Sequence, residues 1–90
     1  MASYKLVIKK SVAKDLRKIP NQDVARILAR IRGLGDDPRP LGSEKLSGEE
    51  KYRLRQGNYR ILYSVNNVEI CIVVVKVGHR REVVPPLIPG

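Results

Sequence analysis

The sequence is poor in the residue types that build cross-links and metal sites. Its one cysteine, Cys71, excludes an intrachain disulfide and suits a reducing cytosol. A single histidine, His79, accompanies it, so we expect no zinc site made by this chain. No apolar run approaches the ~18 residues of a membrane span, and the N-terminus lacks the apolar stretch of a signal peptide. We therefore expect a soluble, cytoplasmic protein that has no metal site or cofactor and does not cross a membrane.

Acidic residues are also scarce. Nine Asp and Glu face 18 Lys and Arg, which gives a net charge of +9 and a pI near 10.1. Such charge points to a polyanionic partner, which is a nucleic acid, an anionic membrane or an acidic protein; the alternative is a solvated basic surface. With 42% hydrophobic residues, the 90-residue chain should fold as one domain, residues 1–90, with a proline-rich tail at residues 83–90.

A β-hairpin is predicted between Lys51 and Tyr63. Polar and apolar residues alternate before Gly57-Asn58, which suits a two-residue turn. This register puts Arg55 directly opposite Arg60 on the outer face. Like charges so placed destabilise a sheet, so the pair suggests a use, and a phosphate held between two guanidinium groups is the simplest one.

The rest of the chain predicts an α+β domain. The residues indicate a strand at Tyr4–Ile8, a helix at Ser11–Ile19, a second helix capped by Asn21, a loop at Asp36–Gly48, and a third meander strand at Val68–Val77 broken by Gly78. The expected fold is an N-terminal strand, a two-helix hairpin and a three-stranded antiparallel meander, in one mainly antiparallel sheet with the helices on one face.

The other face should be open, cationic and partly apolar. Extending the register places these residues on it, with the last two at its lip: Lys51, Arg53, Arg55, Arg60, Leu62, Ser64, Cys71, Val73, Val75, His79 and Arg80. The exposed apolar floor needs cover from the tail or from a partner.

RNA cleavage is one reaction that such a face suits. A 2′-hydroxyl attacks the adjacent phosphate, and cations such as Arg53, Arg55, Arg60 and Arg80 would stabilise the charge that develops there. Histidine is the residue type best suited to proton transfer at neutral pH, so His79 is the candidate general acid, while the glutamates at 49, 50 and 82 are alternatives for proton transfer. Tyr52 and Tyr59 could stack on bases or belong to the core.

The sequence resembles the RelE branch of the RelE/ParE toxin superfamily across nearly its whole length. The resemblance rests on these runs: Leu46-Ser47-Gly48, Tyr52-Arg53-Leu54-Arg55, Gly57-Asn58-Tyr59-Arg60-Ile61-Leu62-Tyr63 and Val77-Gly78-His79-Arg80-Arg81-Glu82-Val83. It implies a RelE/ParE-like fold and a metal-free endoribonuclease that cuts messenger RNA in the ribosomal A site, inhibits translation in stress responses, and is silenced by an acidic RelB-like antitoxin. The free toxin is expected to be a monomer.

The resemblance also implies roles for individual residues. Arg53 and Arg55 would flank the scissile phosphate, Arg60 would hold it, Arg80 would stand at the end of the last strand, and His79 would act as an acid. Lys51, Tyr52, Tyr59 and Arg81 would bind RNA. The chain departs from the family in having arginines where lysines are common, and Val84 where a tyrosine often follows. The second departure implies either an attenuated enzyme or one in which Tyr52 or Tyr59 takes the place of that tyrosine.

Two other functions remain open at this point. One is a ParE-like inhibitor of DNA gyrase, which shares the fold but cuts no RNA. The other is a non-catalytic basic module that binds RNA or an acidic protein.

Overall fold

The computed structural model describes residues 3–46 and 50–79, which form two helices and five strands. The elements follow the chain in this order: β1 (Lys5–Ile8), α1 (Lys10–Arg17), α2 (Asn21–Leu34), β2 (Ser43–Lys45), β3 (Lys51–Gln56), β4 (Tyr59–Asn66) and β5 (Cys71–His79). None of the described helices is long and apolar enough to cross a bilayer.

The five strands make one mixed sheet in the order β1-β5-β4-β3-β2. β1 runs parallel to β5, and every other pair is antiparallel. This confirms the predicted α+β class and the meander of β3, β4 and β5. The hairpin register is confirmed as well, since Gln56 pairs with Tyr59 and Arg55 with Arg60. Gly57 has φ +59°, which a glycine adopts freely at the first position of such a turn.

The core lies between the helices and one face of the sheet. α1 buries Val12, and α2 buries Ile27, Ile31 and Leu34, which recur at the three- and four-residue intervals of one helix face. The sheet supplies buried residues of β3, β4 and β5, which alternate along each strand except between the last two: Tyr52, Leu54, Ile61, Tyr63, Val65, Ile72, Val74 and Val77. The opposite face of the sheet therefore carries the other residues of these strands, among them Arg53, Arg55 and Arg60.

Several local predictions were wrong. Asn21 does not cap α2: Pro20 occupies the cap position, and its carbonyl accepts N–H groups from Asp23 and Val24. The predicted loop at Asp36–Gly48 contains the edge strand β2, because Ser43–Lys45 pairs with Tyr52–Leu54. β5 begins later than predicted, because the Asn66 side chain accepts the backbone N–H groups of residues 68 and 69 and prolongs the turn.

Gly78 does not break β5 either, since it pairs with Arg60 inside the strand. The neighbouring strand β4 pairs with the backbone of Gly78, so this residue stays in the sheet although it has no side chain to pack. The predicted apolar floor of the open face is partly covered from within the chain: Leu46 packs on Leu62 and Val75, and both leucines are 8% exposed.

Candidate functional site

Three arginines meet on the face of the sheet that turns away from the helices. Arg53 and Arg55 alternate with buried residues of β3, and Arg60 on β4 stands opposite Arg55. Arg55 is exposed, and the other two are half-buried. All three line a cavity of about 210 Å³ together with Gly42 and Glu44, which we call the arginine cavity. The predicted opposition of Arg55 and Arg60 thus produces a concentrated positive charge.

Glu44 brings a carboxylate into the arginine cavity. It pairs with Arg53 across the β2–β3 ladder, and its Oε2 accepts a hydrogen bond from Arg53 Nη2. Its side chain remains 65% exposed. The sequence reasoning missed this residue, because three residues are too few for strand alternation to be recognised and the segment reads as a loop. The cavity therefore combines anion-binding donors with a group that can accept a proton.

His79 does not lie at the lip of the open face, and its predicted placement was wrong. It pairs with Tyr59, and the two rings meet edge to face with their centroids 5.8 Å apart. It borders cavities that also contain Asp15 of α1 and Asp23 of α2, so it lies on the helix side of the sheet.

A β-bulge explains the position of His79. Leu62 pairs with Lys76 and Tyr63 with Val74, which leaves Val75 as an extra residue in β5. Each strand residue alternates between the faces, so one extra residue moves every later side chain to the opposite face. Strict alternation from Val73 and Val75 therefore predicts the wrong side for His79.

Tyr52 is not placed to stack on RNA bases. Its side chain belongs to the core, with 5% exposure, and its ring stacks on that of Tyr63 at a centroid distance of 5.5 Å. The Tyr52 hydroxyl accepts a hydrogen bond from Arg39 Nε at 2.7 Å and donates one to Glu50 Oε2 at 3.0 Å. Of the two alternatives that the sequence left open for Tyr52, base stacking or the core, the structure supports the core.

The other predicted RNA contacts are dispersed. Tyr59 is half-buried on the helix side, where its hydroxyl lies 3.5 Å from Asp23 Oδ2. Lys51 is on the same face as the arginines, but at the far end of β3, opposite Ser64. The remaining predicted residues lie outside the described part of the chain. They are Arg80, Arg81, Val84, the glutamates at 49 and 82, and the tail at 83–90.

A polar network anchors the loop that leads into β2. Arg39 bonds to Tyr52 and lies 3.1 Å from Glu50, and the Tyr63 hydroxyl donates to the Pro38 carbonyl at 2.8 Å. The Tyr52 hydroxyl is the main cause that lowers the pKa of Glu50, ahead of Lys45 and Arg39. Burial is the main cause that raises the pKa of Tyr63 to about 12. This network fastens residues 38 and 39 to the helix side of the sheet, a few residues before Gly42 of the cavity wall.

The described part of the chain contains no cluster of side chains that could bind a metal ion by itself. Across residues 3–46 and 50–79, no three His, Cys, Asp or Glu side chains are grouped so that they could hold an ion. Cys71 is half-buried on the open face, and its register partners are Lys5 and Asn66.

Comparison with known proteins gives a consistent family assignment. Residues 6–84 match the family model described as the ParE toxin of the type II toxin–antitoxin system parDE. The search of curated proteins found no match.

Solved structures also resemble this chain. The toxin–antitoxin complex RelBE2 of Mycobacterium tuberculosis matches with 26% identity and a TM-score of 0.77, covering 91% of this chain and 97% of that one. The archaeal RelE–RelB complex of Pyrococcus horikoshii matches with 30% identity and a TM-score of 0.77, covering 90% and 99%. The RelB–RelE complex of Methanococcus jannaschii matches with 30% identity and a TM-score of 0.68, covering 83% and 91%.

Proposed function

The chain belongs to the RelE/ParE superfamily of type II toxin–antitoxin toxins, and from that premise we propose that it is a ribosome-dependent endoribonuclease that cuts messenger RNA. The observation that carries the proposal is the arginine cavity, where Arg53, Arg55 and Arg60 face one small space. A phosphodiester fits this charge, because guanidinium groups bind phosphate oxygens through paired hydrogen bonds.

The proposed reaction is a transesterification within the RNA. The 2′ oxygen attacks the neighbouring phosphorus, the new P–O2′ bond forms, and the bond to the 5′ oxygen of the next nucleotide breaks. The products are a 2′,3′-cyclic phosphate and a free 5′-hydroxyl. The arginines stabilise the additional negative charge on the phosphorane, which is commonly the largest single contribution to such catalysis.

Proton transfer in this scheme belongs to Glu44. Its carboxylate lines the arginine cavity and can accept the 2′ proton, while the leaving 5′ oxygen takes a proton from solvent. The acid role predicted for His79 is not retained, because its ring lies on the helix side of the sheet. Arg80, outside the described residues, stays a predicted cation of the site.

The proposed site has few groups that can transfer protons, and for this reason we expect cleavage to depend on the ribosome. Binding to a ribosome orients the messenger RNA for in-line attack, and orientation can supply a large part of a rate enhancement. The net charge of +9 favours contacts with ribosomal RNA phosphates. The open face of the sheet, which carries these arginines, also suits an acidic, partly apolar antitoxin. The three related complexes named above each contain a RelB-type antitoxin.

The test removes charge from the arginine cavity one residue at a time. We expect Arg60→Gln and the exposed Arg55→Gln to reduce cleavage roughly 10²–10³-fold, the usual loss when one donor to a developing oxyanion is removed. Induced cells are scored for growth arrest, and messages are mapped by primer extension. Arg17→Gln, an exposed arginine in the last turn of α1, is the matched control.

Full toxicity and unchanged cleavage in both cavity variants would contradict the proposal, provided that their circular dichroism melts match the parent. Glu44→Gln separates proton transfer from binding: it should lower the cleavage rate while ribosome binding is kept. An unchanged rate in that variant removes Glu44 from the mechanism.

A second candidate function is inhibition of DNA gyrase. The observation in its favour is the family model, which describes ParE toxins. The same induction experiment distinguishes the two functions. Discrete primer-extension stops within codons support cleavage, whereas intact messages with an induced DNA-damage response support a gyrase target.

A further inference from the structure

Two arginines of α2 lie next to the arginine cavity without belonging to it. Arg26 and Arg30 are four residues apart, so their side chains share one face of the helix. Arg26 and Arg32 are exposed and Arg30 is half-buried, but Arg32 projects from a different face, about 200° around the helix axis from Arg30.

Arg30 reaches the wall of the arginine cavity. Its Nη2 donates to the Leu41 carbonyl at 3.3 Å, and a Cβ placed on Gly42 would lie 3.6 Å from the same atom. Gly42 lines the arginine cavity, so the guanidinium of Arg30 stands directly behind that wall. A guanidinium carries five N–H donors in all, which exceeds what one carbonyl can accept.

Arg26 continues the positive charge towards the hairpin turn. It lines a cavity of about 250 Å³ with Gln56, Gly57 and Asn58, at the same end of the hairpin as the Arg55–Arg60 pair. Asp23 and His79 border this cavity as well, so its charge is mixed.

β2 stops short of the end of the sheet edge between these groups. It pairs with β3 only from Tyr52 to Leu54, so Arg55 and Gln56 are not paired with β2, and the edge there is bordered by Gly42 of the cavity wall. A chain of phosphates can therefore leave the open face there and pass round the edge to α2.

We propose that Arg30 and Arg26 form a phosphate track that binds the nucleotides flanking the phosphate in the arginine cavity. The inference rests on the proposed function, which supplies RNA as the substrate. The track selects a single strand: it turns round the edge of the sheet, whereas a nucleic-acid duplex is stiff over roughly 150 base pairs. Each bound phosphate contributes a salt-dependent term to the affinity.

The test measures binding with RNA that cannot be cleaved. Fluorescein-labelled 2′-O-methyl oligouridylates of increasing length are titrated by anisotropy at several NaCl concentrations. The shortest, a dinucleotide, has one internucleotide phosphate for the arginine cavity, and longer oligomers can reach the track. The protein variants are Arg26→Gln/Arg30→Gln, the control Arg32→Gln, and Arg55→Gln for the cavity.

We expect the parent chain to bind longer oligomers more tightly, and the double variant to lose most of this gain. Each lost contact should weaken binding roughly fivefold and reduce the slope of log affinity against log salt by about 0.7. Arg32→Gln should retain both the gain and the slope, and dinucleotide binding by the double variant should be unchanged.

An equal gain with length in the parent and the double variant would overturn the track. That result leaves the proposed function standing if Arg55→Gln weakens dinucleotide binding. If Arg55→Gln binds the dinucleotide as the parent does, the cavity proposal fails instead. Loss of binding to an acidic antitoxin peptide by the double variant, with RNA binding intact, would assign this face to a protein partner and overturn the track.

Discussion

Burial determines what the tyrosines of this chain do. Tyr63 is fully buried, and its hydroxyl is held by the Pro38 carbonyl, while Tyr52 stacks on it and bonds to Arg39 and Glu50. Both residues lie in alternating strand patterns that are equally compatible with exposed aromatic rings. From the sequence alone such rings could stack on nucleic-acid bases, and only their burial shows that they hold the loop before β2 in place.

Tyr63 should make the stability of the protein depend on alkaline pH. Its pKa is raised from 10.0 to about 12, so the hydroxyl is protonated in both states well below pH 10. Above pH 10 the unfolded chain loses the proton first, and the free energy of unfolding falls as the pH rises towards about 12. The change is on the order of 2–3 kcal/mol.

Urea unfolding at several pH values tests this, with Tyr63→Phe as the variant. The substitution should lower stability by about 1 kcal/mol at neutral pH, because a buried hydrogen bond is lost, and should flatten the decline above pH 10. Tyr4→Phe, whose hydroxyl bonds to the exposed Asn67, is the control and should keep the decline. A parental slope in Tyr63→Phe would show that another group controls alkaline unfolding.

The segment from α2 to β2 is the element that completes the candidate site. It carries Gly42 and Glu44 into the arginine cavity and supplies the carbonyl that holds Arg30. Gly42 has φ +95°, a conformation that L side chains rarely adopt, whereas a Cβ there would meet only ordinary contacts at 3.6 and 4.0 Å. The backbone rather than steric crowding therefore requires glycine at this position.

Gly42→Ala should destabilise the protein by about 1–2 kcal/mol, because it forces a residue with a Cβ into a positive φ. Gly33→Ala is the matched control. Gly33 lies in α2 with nothing within 4 Å of an added Cβ, so alanine should stabilise the helix by roughly 0.5–1 kcal/mol. Opposite signs in urea unfolding are expected, and equal effects would contradict the role assigned to the Gly42 backbone.

Charge is the dominant property of the whole molecule. The net charge of +9 is only locally offset by ion pairs such as Arg39–Glu50 and Lys76–Asp15. These pairs are largely at the surface, where each contributes little. Repulsion among the remaining cations opposes folding, and an anion bound to the arginine cavity should relieve part of it.

Sulfate should therefore raise the melting temperature more than NaCl at equal ionic strength. Part of this surplus is the general stabilising effect of sulfate on proteins, and part is binding to the native state. Arg55→Gln and Arg60→Gln should each reduce the surplus, whereas Arg17→Gln should leave it unchanged. An equal sulfate surplus in the parent and all variants would show that the arginine cavity does not bind the anion.

Much of the fold was accessible from the sequence. The alternation in β3 and β4, with Gly57-Asn58 between them, determined that Arg55 stands opposite Arg60, and the spacing of Val12, Ile27 and Ile31 determined which helix faces are buried. These features depend on residues close together in the chain, so local periodicity and turn chemistry are sufficient to predict them.

Tertiary structure alone decided the composition of the site. The pairing of β2 with β3 brought Glu44 to Arg53, and the bulge at Val75 in β5 moved His79 to the helix side. Both depend on a partner strand: a three-residue edge strand has no readable period of its own, and an extra residue is defined only against the strand it pairs with. The sequence thus determined that opposed arginines would exist, and the assembled sheet decided which side chains accompany them.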